Sequence, residues 1–513
     1  MGALLRPCTG SHIPLDSQPM KRLAVFVSLF FIVSSIWVPV AAAGGKTLEE
    51  LVRDQIKKSG AKSRLIGVAV TSHKGTPLVL LNADKPFKPA SNMKILTTVA
   101  GLELLGAGHE YSTWVLAGEG IVGGKISGDL VVRGGGDPNI SGRFHKDDPL
   151  AIFTAWAGKL KKLGLREISG NLVADDSFFD NERFLDGWNP KDRGKWFSAQ
   201  ISPLSLNDNC VEIRVVPGAI GKPARVSVFP ANSFVSVSGA PKTVSGKKVV
   251  VVVNNSVEGN KVTVKGTIGA SAGTWRGHLP IDDPALFFAH TFAAVLKKQG
   301  IELGGDVVRI GGKEVPGGGS APEKSGPVSE KVLLEHRSRL DRDIPIINKE
   351  SMNLHAELLL KTVGNKIAGE GSVAGGAKAI GKLLDEMGAK KTGLVVSDGS
   401  GLSHNNRVTA RQFVSVLHAA RSKKYYELFR SSLPVAGVDG TLKKRFSSKR
   451  SLVGKVFAKT GYIRGVSTLS GYVKKNKQVW SFSILCNSFP SRSLSQARKL
   501  QEDIIGILYA SMQ

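Results

Sequence analysis

The stretch Lys88–Gly106, KPASNMKILTTVAGLELLG, sets Ser91 and Lys94 one helical turn apart at the entrance of an apolar helix. Pro89 and Ala90 suit that entrance and Gly106 suits the exit, while Ile95, Leu96, Val99, Ala100, Leu102, Leu104 and Leu105 make the body apolar on most sides. A helix of this kind is buried, so a polar first turn needs a reason. A serine hydroxyl becomes a nucleophile when a base takes its proton, and burial can lower a lysine's pKa enough to make it that base. The same spacing occurs at Ser59/Lys62 and Ser245/Lys248 with no such helix behind them. It also describes a helix cap beside a snorkelling lysine. Partners elsewhere in the chain must decide.

With 513 residues, 42% of them hydrophobic, the chain has room for two to four domains and a large core. A formal charge of +28 predicts attraction to polyanions: nucleic acid, anionic lipid or an anionic wall polymer. Compartment narrows that choice. Met20-Lys21-Arg22 leads into the apolar run Leu23–Val40, then Ala41-Ala42-Ala43, the pattern of a secretory signal with a small-residue cleavage site. The apolar run would also suit a retained anchor, but the cleavage site follows at once. Residues 1–43 are therefore read as leader and signal, the mature chain as exported with no stable membrane span, and wall polymers as better partners than nucleic acid. Of three cysteines, Cys8 lies in the leader. Cys210 and Cys486 are expected to be two separate buried thiols, although export permits a bridge. No clustered Cys/His spacing suggests a metal, and no cofactor is implied.

Read in order, Thr47–Ser59 predicts an amphipathic helix, and Arg64–Ser72 with Pro77–Asn82 predicts a hairpin ahead of the serine helix. From Tyr111 to Pro327 the texture changes to short Val-rich strands rich in Gly and Pro. Two helices there open at Asp148-Pro149 and Asp283-Pro284 and close at Gly164 and Gly300. Three similar turns, at Ile126-Ser-Gly-Asp, Ile168-Ser-Gly-Asn and Leu303-Gly-Gly-Asp, read as duplication or as common turn chemistry. Helices dominate from Val328, including a helical region Ile346–Val363 and a capping box at Thr409–Gln412. Strands return from Lys455 to Cys486 before a last helix. Residues 46–110 and 328–513 are thus expected to form one discontinuous domain whose sheet the C-terminus completes. Residues 111–327 are its insertion, with about 136–205 nested within the rest.

Two further motifs join Ser91-Asn92-Met93-Lys94: Ser351-Met352-Asn353 before the apolar run Leu354–Leu360, and Lys459-Thr460-Gly461 at the end of a strand. The ordered set Ser-x-x-Lys, Ser-x-Asn, Lys-Thr-Gly is the signature of penicillin-binding proteins and β-lactamases. A second Lys-Thr-Gly, Lys391–Gly393, is rejected because it enters a strand rather than ending one.

Longer stretches carry a more specific resemblance: Gly134–Pro138 (GGGDP), Asp176-Ser177-x-Phe179, Ser202–Asn209 (SPLSLNDN), Ser397–Ser403 (SDGSGLS), Leu433–Leu442 (LPVAGVDGTL) and Leu469–Tyr472 (LSGY). With them the chain resembles the low-molecular-mass class C penicillin-binding proteins, the D-alanyl-D-alanine carboxypeptidases and endopeptidases of serine peptidase family S13. The 260 residues between Ser91 and Ser351 leave room for the insertion that this family carries. The resemblance implies an α/β (α+β) fold, a penicillin-binding/β-lactamase-like transpeptidase domain with an antiparallel sheet flanked by helices, plus inserted strand-rich subdomains.

It implies peptidoglycan stem peptides as substrate, β-lactams as covalent inhibitors, and the periplasm or cell envelope as location. Ser91 is then the nucleophile, Lys94 the base, Ser351 a proton relay and Asn353 a holder of Lys94 and of the substrate amide. Lys459 and Thr460 take the terminal carboxylate, Gly461 belongs to the same motif, and the backbone N–H groups of Ser91 and Tyr462 take the oxyanion. Tyr462 departs from the threonine frequent in relatives, which bears on substrate fit. His355 is expected to be a packed or surface residue, and Asp398 and Asp439 to cap turns. The insertion is expected to supply no proton-transfer group. A β-lactamase would need a deacylating carboxylate, which is not identified. A non-catalytic polyanion binder would leave the three motifs unexplained.

Overall fold

Strands from both ends of the chain meet in one antiparallel sheet. The computed structural model describes residues 45–256, 258–311, 330–489 and 493–513. The signal segment and most of the Gly311–Pro327 loop fall outside them. The sheet runs Pro77–Leu81, Ile66–Thr71, Gln478–Asn487, Val466–Lys475, Val456–Ile463. Val68 pairs with Ile484, and Lys459 with Ser470.

Alternation along these strands feeds two layers. Val68, Val70, Phe482 and Ile484 pack under the terminal helices Leu48–Lys58 and Leu494–Ser511. Ala69, Leu485 and Tyr472 face the other way, onto the helices Met93–Ala100, Asn353–Ala368, Val373–Glu386 and Ala410–Ala420. Thr47 and Thr409 both cap their helices through complete capping boxes.

The serine stretch departs from a single regular helix. Ala90–Asn92 is a 3-10 turn, entered with Ala90 at φ +46°, and the α-helix starts only at Met93. It ends in a π turn, Gly101–Leu105, and exits through Gly106 at φ +88°. The expected helical region Ile346–Val363 is also broken. A π turn, Ile346–Glu350, ends at Ser351 with φ +63°, and a new helix begins at Asn353. Both breaks put a motif serine on a turn rather than inside a helix.

A second five-stranded sheet runs Val307–Ile310, Leu172–Asp175, Leu130–Gly134, Glu110–Ala117, Lys331–Arg339. Its last strand pairs with Glu110–Ala117, so residues expected to open the returning domain lie in the insertion's sheet. Nor is 136–205 set apart, because Leu172–Asp175 pairs on both sides within that sheet and buries Leu172 and Ala174 in the core shared by the helices Ala151–Lys162 and Pro284–Lys298. The strands grouped separately are those of Cys210–Pro280, in a three-stranded and a four-stranded sheet.

The three similar turns lie side by side. Ile126, Ile168 and Leu303 are in parallel register. Gly170 N–H donates to Gly128 O and Gly305 N–H to Gly170 O, both at 2.9 Å, and a Cβ at Gly170 would stand 2.6 Å from the Gly128 carbonyl carbon. The first inserted helix starts at Ala151, two residues after Pro149, because Asp148 Oδ1 closes a local turn on Leu150 N–H at 2.9 Å. Asp283 caps the second as expected, accepting from Leu286 N–H at 3.1 Å. Cys210 and Cys486 are free and buried.

Candidate active site

Glycines let the serine turn sit tight between a strand and a loop. A Cβ on Gly461 would stand 3.0 Å from Ser91 N and 2.1 Å from Thr468 Oγ1, and one on Gly401 would stand 1.8 Å from Ala90 O. Thr468 Oγ1 donates to Pro89 O at 2.7 Å and ties the turn to the sheet. Ser91 is thereby held beside the motif strand Val456–Ile463.

Lys94 is fully buried, with Nζ 3.2 Å from Ser91 Oγ, 2.7 Å from Asn353 Oδ1 and 2.8 Å from Ser400 O. Burial lowers its pKa to about 7, while the charges of Glu357 and Asp398 pull it back upward. A lysine so placed is neutral for a large part of the time at neutral pH, and a neutral amine beside a serine hydroxyl is a general base. The other amide hydrogen-bonding end of Asn353, Nδ2, donates to Phe197 O at 2.8 Å.

One residue that holds this lysine was not singled out. Glu357, fully buried, accepts from Gly399 N–H at 2.7 Å and Ser400 N–H at 2.8 Å, fixing the turn whose Ser400 carbonyl meets Lys94. Burial pushes its carboxyl upward, as does the charge of Asp398. The signal was present: a lone acid in HAELLL, one turn after Asn353, is out of place in an apolar helix. Asp398 caps the same loop, accepting from Gly401 N–H, Asn406 Nδ2 and Trp188 Nε1 at 2.7, 2.6 and 3.0 Å.

The second half of the site is built by Ser351 and Lys459. Lys459 Nζ donates to Ser351 Oγ at 2.8 Å and to Thr460 O at 3.0 Å. Burial holds its pKa well below the usual lysine value, helped by the nearby charge of Lys94. The hydroxyl of Thr460 donates to Thr441 Oγ1 at 2.7 Å, which brings in the Leu433–Leu442 stretch. Tyr462 is 47% exposed. Asp439 accepts from Val435 N–H at 2.9 Å and pairs with Lys349, two residues before Ser351. Lys391 lies elsewhere, exposed and paired with Asp385 at 2.9 Å. Hydrogen bonds join Lys94 to Ser91 and Asn353 and Lys459 to Ser351, and Gly461 lies against Ser91, so the three motifs meet, while Lys391 of the rejected motif does not join them.

His355 is buried, not on the surface. Its Nδ1 is 2.6 Å from Asp343 Oδ1 and its Nε2 2.9 Å from Asp208 Oδ1. Burial opposes its charge, yet the two carboxylates raise its pKa to about 9. Tyr111 donates to Asp343 at 2.9 Å, and Arg143 spans Asp208 and Glu350 at 2.7 and 2.6 Å. Asp208 and Arg143 come from the insertion and Glu350 precedes Ser351. The insertion therefore braces the cleft through Arg143, Asp208 and Phe197. No cluster of three or more His, Cys, Asp or Glu able to hold a metal occurs among the described residues.

A family model described as "D-Ala-D-Ala carboxypeptidase 3 (S13) family" matches residues 48–508. The chain belongs to that family. It is a serine-type D-Ala-D-Ala carboxypeptidase, with a mixed helix and sheet fold of the penicillin-binding class. The D-alanyl-D-alanine carboxypeptidase of Actinomadura sp. (strain R39) is 35% identical over 467 residues, covering 87% of this chain and 83% of that protein. The D-alanyl-D-alanine carboxypeptidase DacB of Haemophilus influenzae is 28% identical, covering 75% and 77%. The crystal structure of penicillin binding protein 4 from Haemophilus influenzae superposes with a TM-score of 0.73 at 24% identity, covering 89% of this chain and 99% of that one. A second structure of that protein is a complex with a β-lactam, with a TM-score of 0.67 at 23% identity and the same coverage. The carboxypeptidase reading thus prevails over the β-lactamase and polyanion-binder alternatives.

Proposed function

We propose that the carboxypeptidase acts on peptidoglycan stem peptides through an acyl-enzyme on Ser91. The observation that carries this reading is the buried Lys94 amine shared by Ser91 Oγ, Asn353 Oδ1 and Ser400 O. Ser91 Oγ attacks the penultimate D-alanyl carbonyl and gives its proton to Lys94 Nζ. The tetrahedral oxyanion lies between the N–H groups of Ser91 and Tyr462. Ser351 carries a proton to the departing amine, so the peptide bond breaks, free D-alanine leaves, and an ester remains on Ser91. Water then attacks the ester with Lys94 again as base. Asn353 keeps one amide hydrogen for the substrate after its bond to Phe197 O. Lys459 and Thr460 receive the terminal carboxylate, and Gly461 gives the backbone the room this needs. The same ester forms with β-lactams, and a cross-link ending in a D-centre is a second substrate for the same groups.

The leader and the +28 charge support export to the periplasm or cell envelope and attraction to anionic wall polymers. No helix among the described residues is long and apolar enough to cross a membrane.

Peptide mapping after labelling with penicillin tests the assignment: the label is expected on Ser91 alone, and a label on Ser59 or Ser245, or full labelling of Ser91→Ala, would refute it. Release of D-alanine from a free pentapeptide, read by mass spectrometry, tests the reaction itself. Lys459→Ala is expected to lower acylation about 10²-fold or more through loss of a cation facing the carboxylate, with Lys391→Ala close to wild type. Equal losses in the two variants would mean that the carboxylate is bound elsewhere.

A further inference from the structure

Trp275 opens the strand Trp275–Pro280 and lies back along it. A Cβ on Gly277 would stand 2.4 Å from the indole's Cη2 and 3.0 Å from its Cζ3, so the glycine makes room for a flat ring. Backbone conformation does not demand it, since Gly277 is not among the glycines with positive φ. Trp275 lines a groove of about 460 Å³ with Val251, Val253, Asn254, Lys195 and Trp196. Trp196 is 47% exposed, unusual for so large an apolar ring. Lysines 191 and 195 and His278 also line the groove, and among the described residues no acidic side chain does.

The groove leads toward the cleft. Trp196 and His278 also line a neighbouring cavity of about 530 Å³ whose wall includes Met352, the residue after Ser351. Trp196 precedes Phe197, whose carbonyl accepts from Asn353. Groove and neighbouring cavity thus share Trp196 and His278, and the cavity reaches the residue beside Ser351.

We propose that this groove binds the glycan strand of peptidoglycan. The proposal rests on the stem-peptide reading above, because a stem peptide in the wall arrives attached to a sugar. Indole faces suit the apolar faces of pyranose rings, as aromatic rings do other apolar groups. Val251 and Val253 offer an apolar floor for the methyl of an N-acetyl group, and the exposed Asn254 amide can both donate to and accept from sugar hydroxyls. Lysines without a lining acid suit the acetamido carbonyls and the carboxylates of the attached peptide.

Calorimetric titration of the full chain with soluble glycan strands freed of peptide is the test. Saturable binding is expected, and Trp275→Ala is expected to weaken it about tenfold, the upper range for one lost aromatic contact. Penicillin acylation and D-alanine release from a free pentapeptide should stay at wild-type rates in that variant. Should Trp275→Ala fail to fold, Asn254→Ala at its exposed strand position must still weaken glycan binding. No binding by the wild-type chain, unchanged binding in both variants, or binding only to a phosphate-rich wall polymer or to a protein would overturn the proposal. Loss of D-alanine release with glycan binding intact would sink the reaction and leave the groove standing.

Discussion

Alanine in place of Lys94 is expected to slow acylation of Ser91 by penicillin about 10²–10⁴-fold, the range a positioned general base supplies. The serine would keep its turn, because Thr468 and Gly461 hold it independently of the lysine. A pH profile of the wild-type acylation rate gives the sign. The neutral amine is the base, and burial lowers the Lys94 pKa to about 7, so the rate should rise as pH is raised through about 7 and level off above it. Glu357→Gln removes a negative charge that raises this pKa, so the rising limb should move to lower pH. A limb that stays in place would show that Glu357 acts only as an anchor for Gly399 and Ser400. A Lys94→Ala enzyme that still acylates at the wild-type rate would mean that another group takes the proton.

What the sequence made legible here is local or ordered along the chain. The capping boxes at Thr47 and Thr409 depend on residues three apart, and both form. The three motifs were readable because each binds chemistry to a short spacing, and the cleft gathers them from turns and a strand far apart in sequence. The strands at both ends of the chain signalled a shared sheet through their apolar runs, and Val68 does pair with Ile484.

Features that depend on non-local contacts were less legible. Strand Lys331–Arg339 pairs with Glu110–Ala117 across more than two hundred residues, which no local pattern records. The three Gly-Asp or Gly-Asn turns read as duplication or as common turn chemistry, and no local pattern records that their glycines stack in register. His355 looked like a helix residue of either face because its partners, Asp208 and Asp343, come from a distant loop and the preceding helix. For the same reason the insertion's part in bracing the cleft was missed: Phe197 acts through its carbonyl, which side-chain patterns do not mark.

The second large effect belongs to His355. Replacement by leucine, close in volume, would leave the carboxylates of Asp208 and Asp343 without the imidazolium between them, and Asp343 is wholly buried. Removing one partner from a buried ionic network costs roughly 3–5 kcal/mol, because the remaining charge is left uncompensated. Arg143 still reaches Asp208, and Tyr111 still reaches Asp343, which holds the loss toward the lower end of that range. The histidine's folded pKa is raised to about 9 from its usual value of about 6.5. Its contribution to stability is therefore full below about pH 6.5 and is lost as pH rises through about 9. Asp208 is held well below the usual carboxylate range, chiefly against burial and by its bond to His355 and the His355 charge, so its contribution is present above about pH 4 and fades as pH falls. Denaturant unfolding of wild type and His355→Leu should accordingly differ most between about pH 4 and 6.5 and converge as pH approaches about 9. A difference that is constant across this window would mean that His355 contributes packing alone. In a folded His355→Leu chain the acylation rate should also fall, because Arg143, Asp208 and Glu350 hold the turn that presents Ser351, while the pH at which the Lys94 limb rises should stay where it is.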